Sequence, residues 1–108
     1  MPRVPLRLHG PAQVAATPAT KYTVPAGRKA ILRHIHVQNP SGSPVTFTMS
    51  IGTDAAGTRL YDARSIAAGG EIDAWGYYVL EAAEFIQAGA GTTNVLVLTL
   101  DGDEIVLG

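Results

Sequence analysis

The chain has 108 residues, no cysteine and a formal net charge of −1. That length suits one domain with a real core. The lack of cysteine excludes disulfides and thiolate metal sites, and the near-zero charge offers neither a basic footprint for nucleic acid nor an acidic tail. No stretch approaches the roughly 20 apolar residues that span a bilayer, and the first residues lack a continuous apolar core of the signal-peptide kind. The expectation is a soluble protein with no nucleic-acid or membrane partner.

Residues 1–18 carry Pro2, Pro5, Pro11 and Pro18. Proline at that density excludes a helix and a central strand, which leaves an extended arm or an edge strand. Val4, Leu6 and Leu8 alternate within it and give the arm an apolar side to set against a neighbouring surface. A frayed terminus is the other reading. Residues 19–108 then read as a single domain.

Val24-Pro25-Ala26-Gly27 puts Pro early and Gly late, as a tight turn entering a strand requires. In the strand that follows, Arg28 to Asn39, Ala30 and Leu32 share one phase while Ile35 and Val37 share the other. A change of phase moves every later side chain to the opposite face, so a β-bulge near Arg33 is expected. The alternative is a strand apolar on both faces. Asn39 to Pro44 is an exposed loop of six loop-forming residues. Val45, Phe47, Met49 and Ile51 then alternate with Thr46, Thr48, Ser50 and Gly52, the pattern of a half-buried antiparallel strand.

Farther along, Arg59 to Ile66 reads as a strand and Ala67 to Gly70 as a turn. In Glu71 to Leu80, Ile72, Ala74, Tyr78 and Leu80 take one side and Glu71, Asp73, Trp75, Tyr77 and Val79 the other. Phe85 to Ala88 is a short strand. Val95 to Leu100 is apolar in both phases, so a central strand covered on both faces is expected. Asp101-Gly102 is a hairpin signal returning into Glu104 to Leu107. About eight short strands roughly 8–12 residues apart, with no convincing helix, indicate an all-β fold. The expected architecture is a two-sheet antiparallel β-sandwich of jelly-roll type with an extended Pro-rich N-terminal arm.

Three patterns invite chemistry. His34-x-His36 places two imidazoles on one side of a strand, where they could chelate a metal. It is similar to the His-x-His of the cupins, but Pro40 and Ser41 stand where that motif has Glu, and no histidine follows His36. Glu71 and Asp73 beside Trp75 have the composition of a glycosidase or sugar site, and also of the wet face of a sheet. Asp101 to Glu104 has the composition of a calcium loop without its length or further ligands. No nucleophile context and no phosphate-cradling Gly loop is present. No catalytic residue, metal or cofactor is expected.

The run Tyr22 to Ile31, YTVPAGRKAI, continues into His34 to Asn39, HIHVQN, and a Ser/Gly loop and Thr-rich strand follow. Together with Ile51 to Gly57 and the later aromatic strand, it resembles small accessory structural proteins of tailed-bacteriophage virions, over roughly residues 21–100. The resemblance implies a non-enzymatic β-sandwich module located in the virion, assembled in the host cytoplasm and most readily a capsid decoration protein. A tail or baseplate accessory protein, a carbohydrate-binding module for host attachment and a metal-dependent β-barrel enzyme are the alternatives. The implied partners are sister copies, as a trimer, and the major capsid or tail proteins. Candidate self-associating residues are Val95, Leu96, Val97, Leu98, Leu100, Trp75 and Tyr77. Val4, Leu6 and Leu8 are the candidate particle-contact arm.

Overall fold

Strands account for every regular element in residues 3–107, the part of the chain that the computed structural model describes. They are β1 (Arg3–Gln13), β2 (Ala19–Thr23), β3 (Arg28–Gln38), β4 (Val45–Ile51), β5 (Arg59–Ile66), β6 (Glu71–Leu80), β7 (Phe85–Ala90) and β8 (Val97–Val106). Two four-stranded sheets form, in the orders β1-β8-β3-β6 and β2-β7-β4-β5. Every pairing is antiparallel. First pairs with last, second with second-last, and so inward to the β4–β5 hairpin. A long hairpin rolled over itself in this way is the double-sheet jelly roll.

The register explains why the strands face as they do. Between Leu32 and His34, β3 slips by one residue against both of its neighbours, β6 and β8. Ala30 and Leu32 before the slip, and Ile35 and Val37 after it, are therefore all buried. The expected bulge is present, and it keeps the apolar side chains of both phases in one interior. They meet Phe47 and Met49 of β4, Ile86 and Ala88 of β7, and Leu98 and Leu100 of β8 in a single cluster. Asn39 closes β3 fully buried. Its Nδ2 donates to the carbonyls of Ser43 (2.9 Å), Ile66 (3.0 Å) and Ala67 (3.2 Å), and its Oδ1 accepts from the Ser41 hydroxyl (2.7 Å). One amide thus ties the β3–β4 loop to the β5–β6 turn without leaving a buried polar group unpaired.

Two expectations change. Asp101-Gly102 is no hairpin: β8 runs straight through it. Glycine is required there because a Cβ would stand 2.0 Å from the Ile31 carbonyl oxygen of β3. The sequence signal reported close strand approach, not a turn. The segment read as an arm holds β1 over residues 3–13, hydrogen-bonded to β8 at the edge of its sheet. Met1 and Pro2 lie outside the described residues.

Gly102→Ala is expected to cost about 1–3 kcal/mol by overpacking. Gly57→Ala, in open space, is the matched control and changes stability by a few tenths at most. Chemical denaturation of the two variants checks the difference, and equal stabilities would contradict the close-approach account.

Candidate functional site

The outer face of the β1-β8-β3-β6 sheet gathers most of the chain's chemically interesting side chains. Its origin is the slip in β3. Because the phase changes there, His34 and His36 turn outward while Ile35 and Val37 turn in. The register sets His34 opposite Trp75 of β6 and Asp101 of β8, and His36 opposite Asp73 and Thr99. The imidazole of His34 stacks on the indole of Trp75, with ring centroids 4.1 Å apart and an interplanar angle of 13°. Its Nε2 is hydrogen-bonded to Asp73, and its Nδ1 lies 3.5 Å from Asp101 Oδ2. Asp101 also accepts from Arg7 Nε at 3.3 Å, so one polar line crosses all four strands. His36 Nε2 pairs with Glu71.

Beside this line runs an aromatic ridge. Trp75 is 75% exposed, Tyr77 62% and Val79 51%. The Arg33 guanidinium sits 5.3 Å from the centroid of the Tyr77 ring and is also paired with the buried carboxylate of Asp103. Stacking below Trp75 and the cation beside Tyr77 hold two exposed rings in fixed positions.

The Nε2 of His34 and that of His36 are each turned to a carboxylate oxygen, and among the described residues no group of three or more His, Asp or Glu side chains is arranged to hold a metal ion. Glu71 and Asp73 share a face as expected, each tied to a different histidine. No enclosed cavity opens among the described residues.

The candidate interface residues divide. Leu96, Leu98 and Leu100 are fully buried in the chain's own core, so they present nothing to a partner; Val95 and Val97 are half-buried. The physical reason is that the even-numbered side chains of this strand fill the sandwich interior. On β1, Leu8 joins the core, Leu6 packs against it, and Val4 alone of the three is exposed. Trp75 and Tyr77 remain as an exposed pair.

Two buried groups escaped the sequence reading. Glu104, on the inward side of β8, accepts hydrogen bonds from the Tyr22 hydroxyl of the opposite sheet (2.5 Å) and from Arg28 Nη1 (2.7 Å). Burial, and then the Glu104 carboxylate, push the Tyr22 phenol well above its ordinary value. The hairpin expectation hid this link, because it left Glu104 on a return strand. His9 has a buried Nε2 with no partner. Burial first and the Lys21 charge second hold its pKa below the usual imidazole value, against a hydrogen bond to the Lys21 backbone.

No known protein family, curated protein or solved structure matches this chain.

Glu104→Ala leaves the Tyr22 hydroxyl and Arg28 without their shared acceptor, at an expected loss of about 1–3 kcal/mol. Denaturation midpoints check the loss, and absorbance titration should show one tyrosine ionising earlier than in the parent. His9 gives a pH dependence of definite sign. The unfolded chain takes up its proton more readily than the fold does, so stability is full above the ordinary imidazole pKa near 6.5 and is lost as pH falls toward the lower folded value. His9→Phe should flatten that part of the stability profile, and an unchanged slope would contradict the assignment.

Proposed function

We propose that this chain is a non-enzymatic structural protein of a tailed-phage virion, an oligomeric decoration protein of the capsid. The observation that carries the reading is the exposed ridge of Trp75, Tyr77 and Val79, presented on a rigid double-sheet scaffold. Trp and Tyr concentrate binding energy where proteins meet, and pre-fixed side chains lose little entropy on docking. The resemblance of Tyr22 to Asn39 to virion accessory proteins supplies the setting. Sister copies meet through the ridge, and the opposite end of the same sheet, with Val4, Arg3 and Arg7 exposed on β1, is free for the particle. A tail or baseplate position uses the same surfaces.

One observation favours a second reading, a carbohydrate-binding module. His34 covers one side of the Trp75 ring while the residue stays largely exposed, with the carboxylates of Asp73 and Glu71 close by. A flat indole beside hydrogen-bonding groups suits the apolar face of a sugar ring.

A reconstruction of the particle carrying this protein should contain it at symmetric positions on the shell, with Trp75 against a neighbouring copy. Density on the tail instead supports the accessory position there, and a particle without the chain overturns the virion reading. The double variant Trp75→Ala, Tyr77→Ala should weaken self-association at least about tenfold. A glycan array that binds the parent but not this variant favours the sugar reading. Deleting residues 1–18 is no test of particle contact, because it strips β1 from β8; Val4→Ser leaves the ladder intact.

A further inference from the structure

The four sheet edges are not alike. On β1 the edge carries Pro5 and Pro11, Arg3 and Arg7, and two register shifts. On β5 it carries Arg59, Asp62 and Arg64, with Ala63 at a φ of 49° and irregular pairing to β4. β2 is five residues long, holds Lys21 and is also shifted in register. Proline, charge, bulges and shortness are the means by which natural sheets keep an edge from recruiting another strand.

β6 shares β3's register shift between Trp75 and Tyr78, but it lacks proline, charge and shortness where it matters. It is ten residues long, and Ala74 to Leu80 contains no charged residue and no proline. Trp75, Tyr77, Tyr78 and Val79 in that stretch are all strong strand formers and all exposed, on both faces of the strand. Its one hydrogen-bonded neighbour is β3, which leaves the outer row of backbone groups open.

We propose that β6 pairs with β6 of a second copy, antiparallel about a two-fold axis near Tyr77, so that two four-stranded sheets become one continuous sheet of eight. The inference rests on the self-association proposed above and names its geometry. A two-fold contact requires a strand to complement itself, and this one does. Pairing about Tyr77 sets Trp75 opposite the partner's Val79 and Gly76 opposite the partner's Tyr78. Trp75 then faces a smaller residue, Tyr78 faces a glycine, and the two Tyr77 rings meet on the axis. No charges oppose one another from Ala74 to Leu80. Just outside that stretch Asp73 stands opposite the partner's Glu81, each already paired within its own chain, with His34 and with Lys29. Parallel pairing would instead align Glu71 and Asp73 with their own copies. Three aromatics from each copy, at about 150–250 Å² each when buried, approach the roughly 1,200 Å² at which specific complexes begin. The trimer expected from sequence needs β6 to meet a different edge, and the other three edges are guarded.

The test combines solution mass with hydrogen exchange on the whole chain. The parent should have twice the chain mass at micromolar concentration, with the outer amides of Ala74 to Leu80 gaining protection as concentration rises. Val79→Lys places a charge on the exposed side of the ladder and should raise the dissociation constant about tenfold or more, with its circular dichroism unchanged. If that variant does not fold, exchange on the parent decides alone. A dimer with unprotected β6 amides, or a trimer, overturns the β6 pairing while leaving self-association standing. A monomer at about 100 times the concentration expected to suffice overturns both.

Discussion

The one-residue slip of β3 between Leu32 and His34 is the constraint from which the arrangement follows. β3 lies between β8 and β6, so its phase decides what the middle of the sheet sends inward. Without the slip, Ile35 and Val37 would face solvent, forfeiting about 1.5–3 kcal/mol each. His34 and His36 would enter an apolar interior, where an imidazole without a partner costs more still. With the slip, four apolar residues of β3 share one core and both histidines stand on the outer face. At the same level Gly102 lets β8 pass against the Ile31 carbonyl, so a residue without a side chain on one strand permits the irregularity on the next.

The outer face shows how weak interactions can be useful without contributing much stability. Exposed ion pairs such as Arg7–Asp101 are worth at most about 1 kcal/mol each. Their effect is positional: His34 is held by carboxylates on two strands and in turn backs Trp75, while Arg33 is fixed by Asp103 and in turn flanks Tyr77. Two large rings are thereby kept rigid in water. The buried counterpart is Glu104, whose bond to Tyr22 joins β8 of one sheet to β2 of the other where a hydrophobic contact would carry less direction. Edge design follows the same division. Three strands at the margins carry prolines, charges or shortness along their length, and the fourth carries an uncharged aromatic stretch from Ala74 to Leu80.

Much of this was legible in the residues, because period and turn chemistry are local. The alternation of Val45 to Ile51 located β4 and its buried side, and the phase conflict in Arg28 to Asn39 announced the bulge. The two sides of Glu71 to Leu80 were separable by parity alone, which put Trp75 and Tyr77 with the carboxylates. What misled was composition without partners. Asp-Gly has the chemistry of a turn, but glycine also serves where another backbone comes close, and only the neighbouring strand tells which. Val95 to Leu100 is apolar in both phases, yet its leucines are satisfied inside one molecule. Leu8 likewise belongs to the core because β8 draws β1 onto the sheet.

By itself, then, the sequence determined the elements, their inward sides and the all-β class, since a strand's pattern depends on residues one and two places away. Tertiary structure alone decided that β2, β5 and β6 are edges, which apolar residues are spare, and which charges meet. Asp101 and His34 are far apart in sequence, as are Tyr22 and Glu104, and contacts between them exist only once the rolled hairpin has set β8 beside β3 and opposite β2. Such contacts depend on strand order, which no local pattern of side chains encodes.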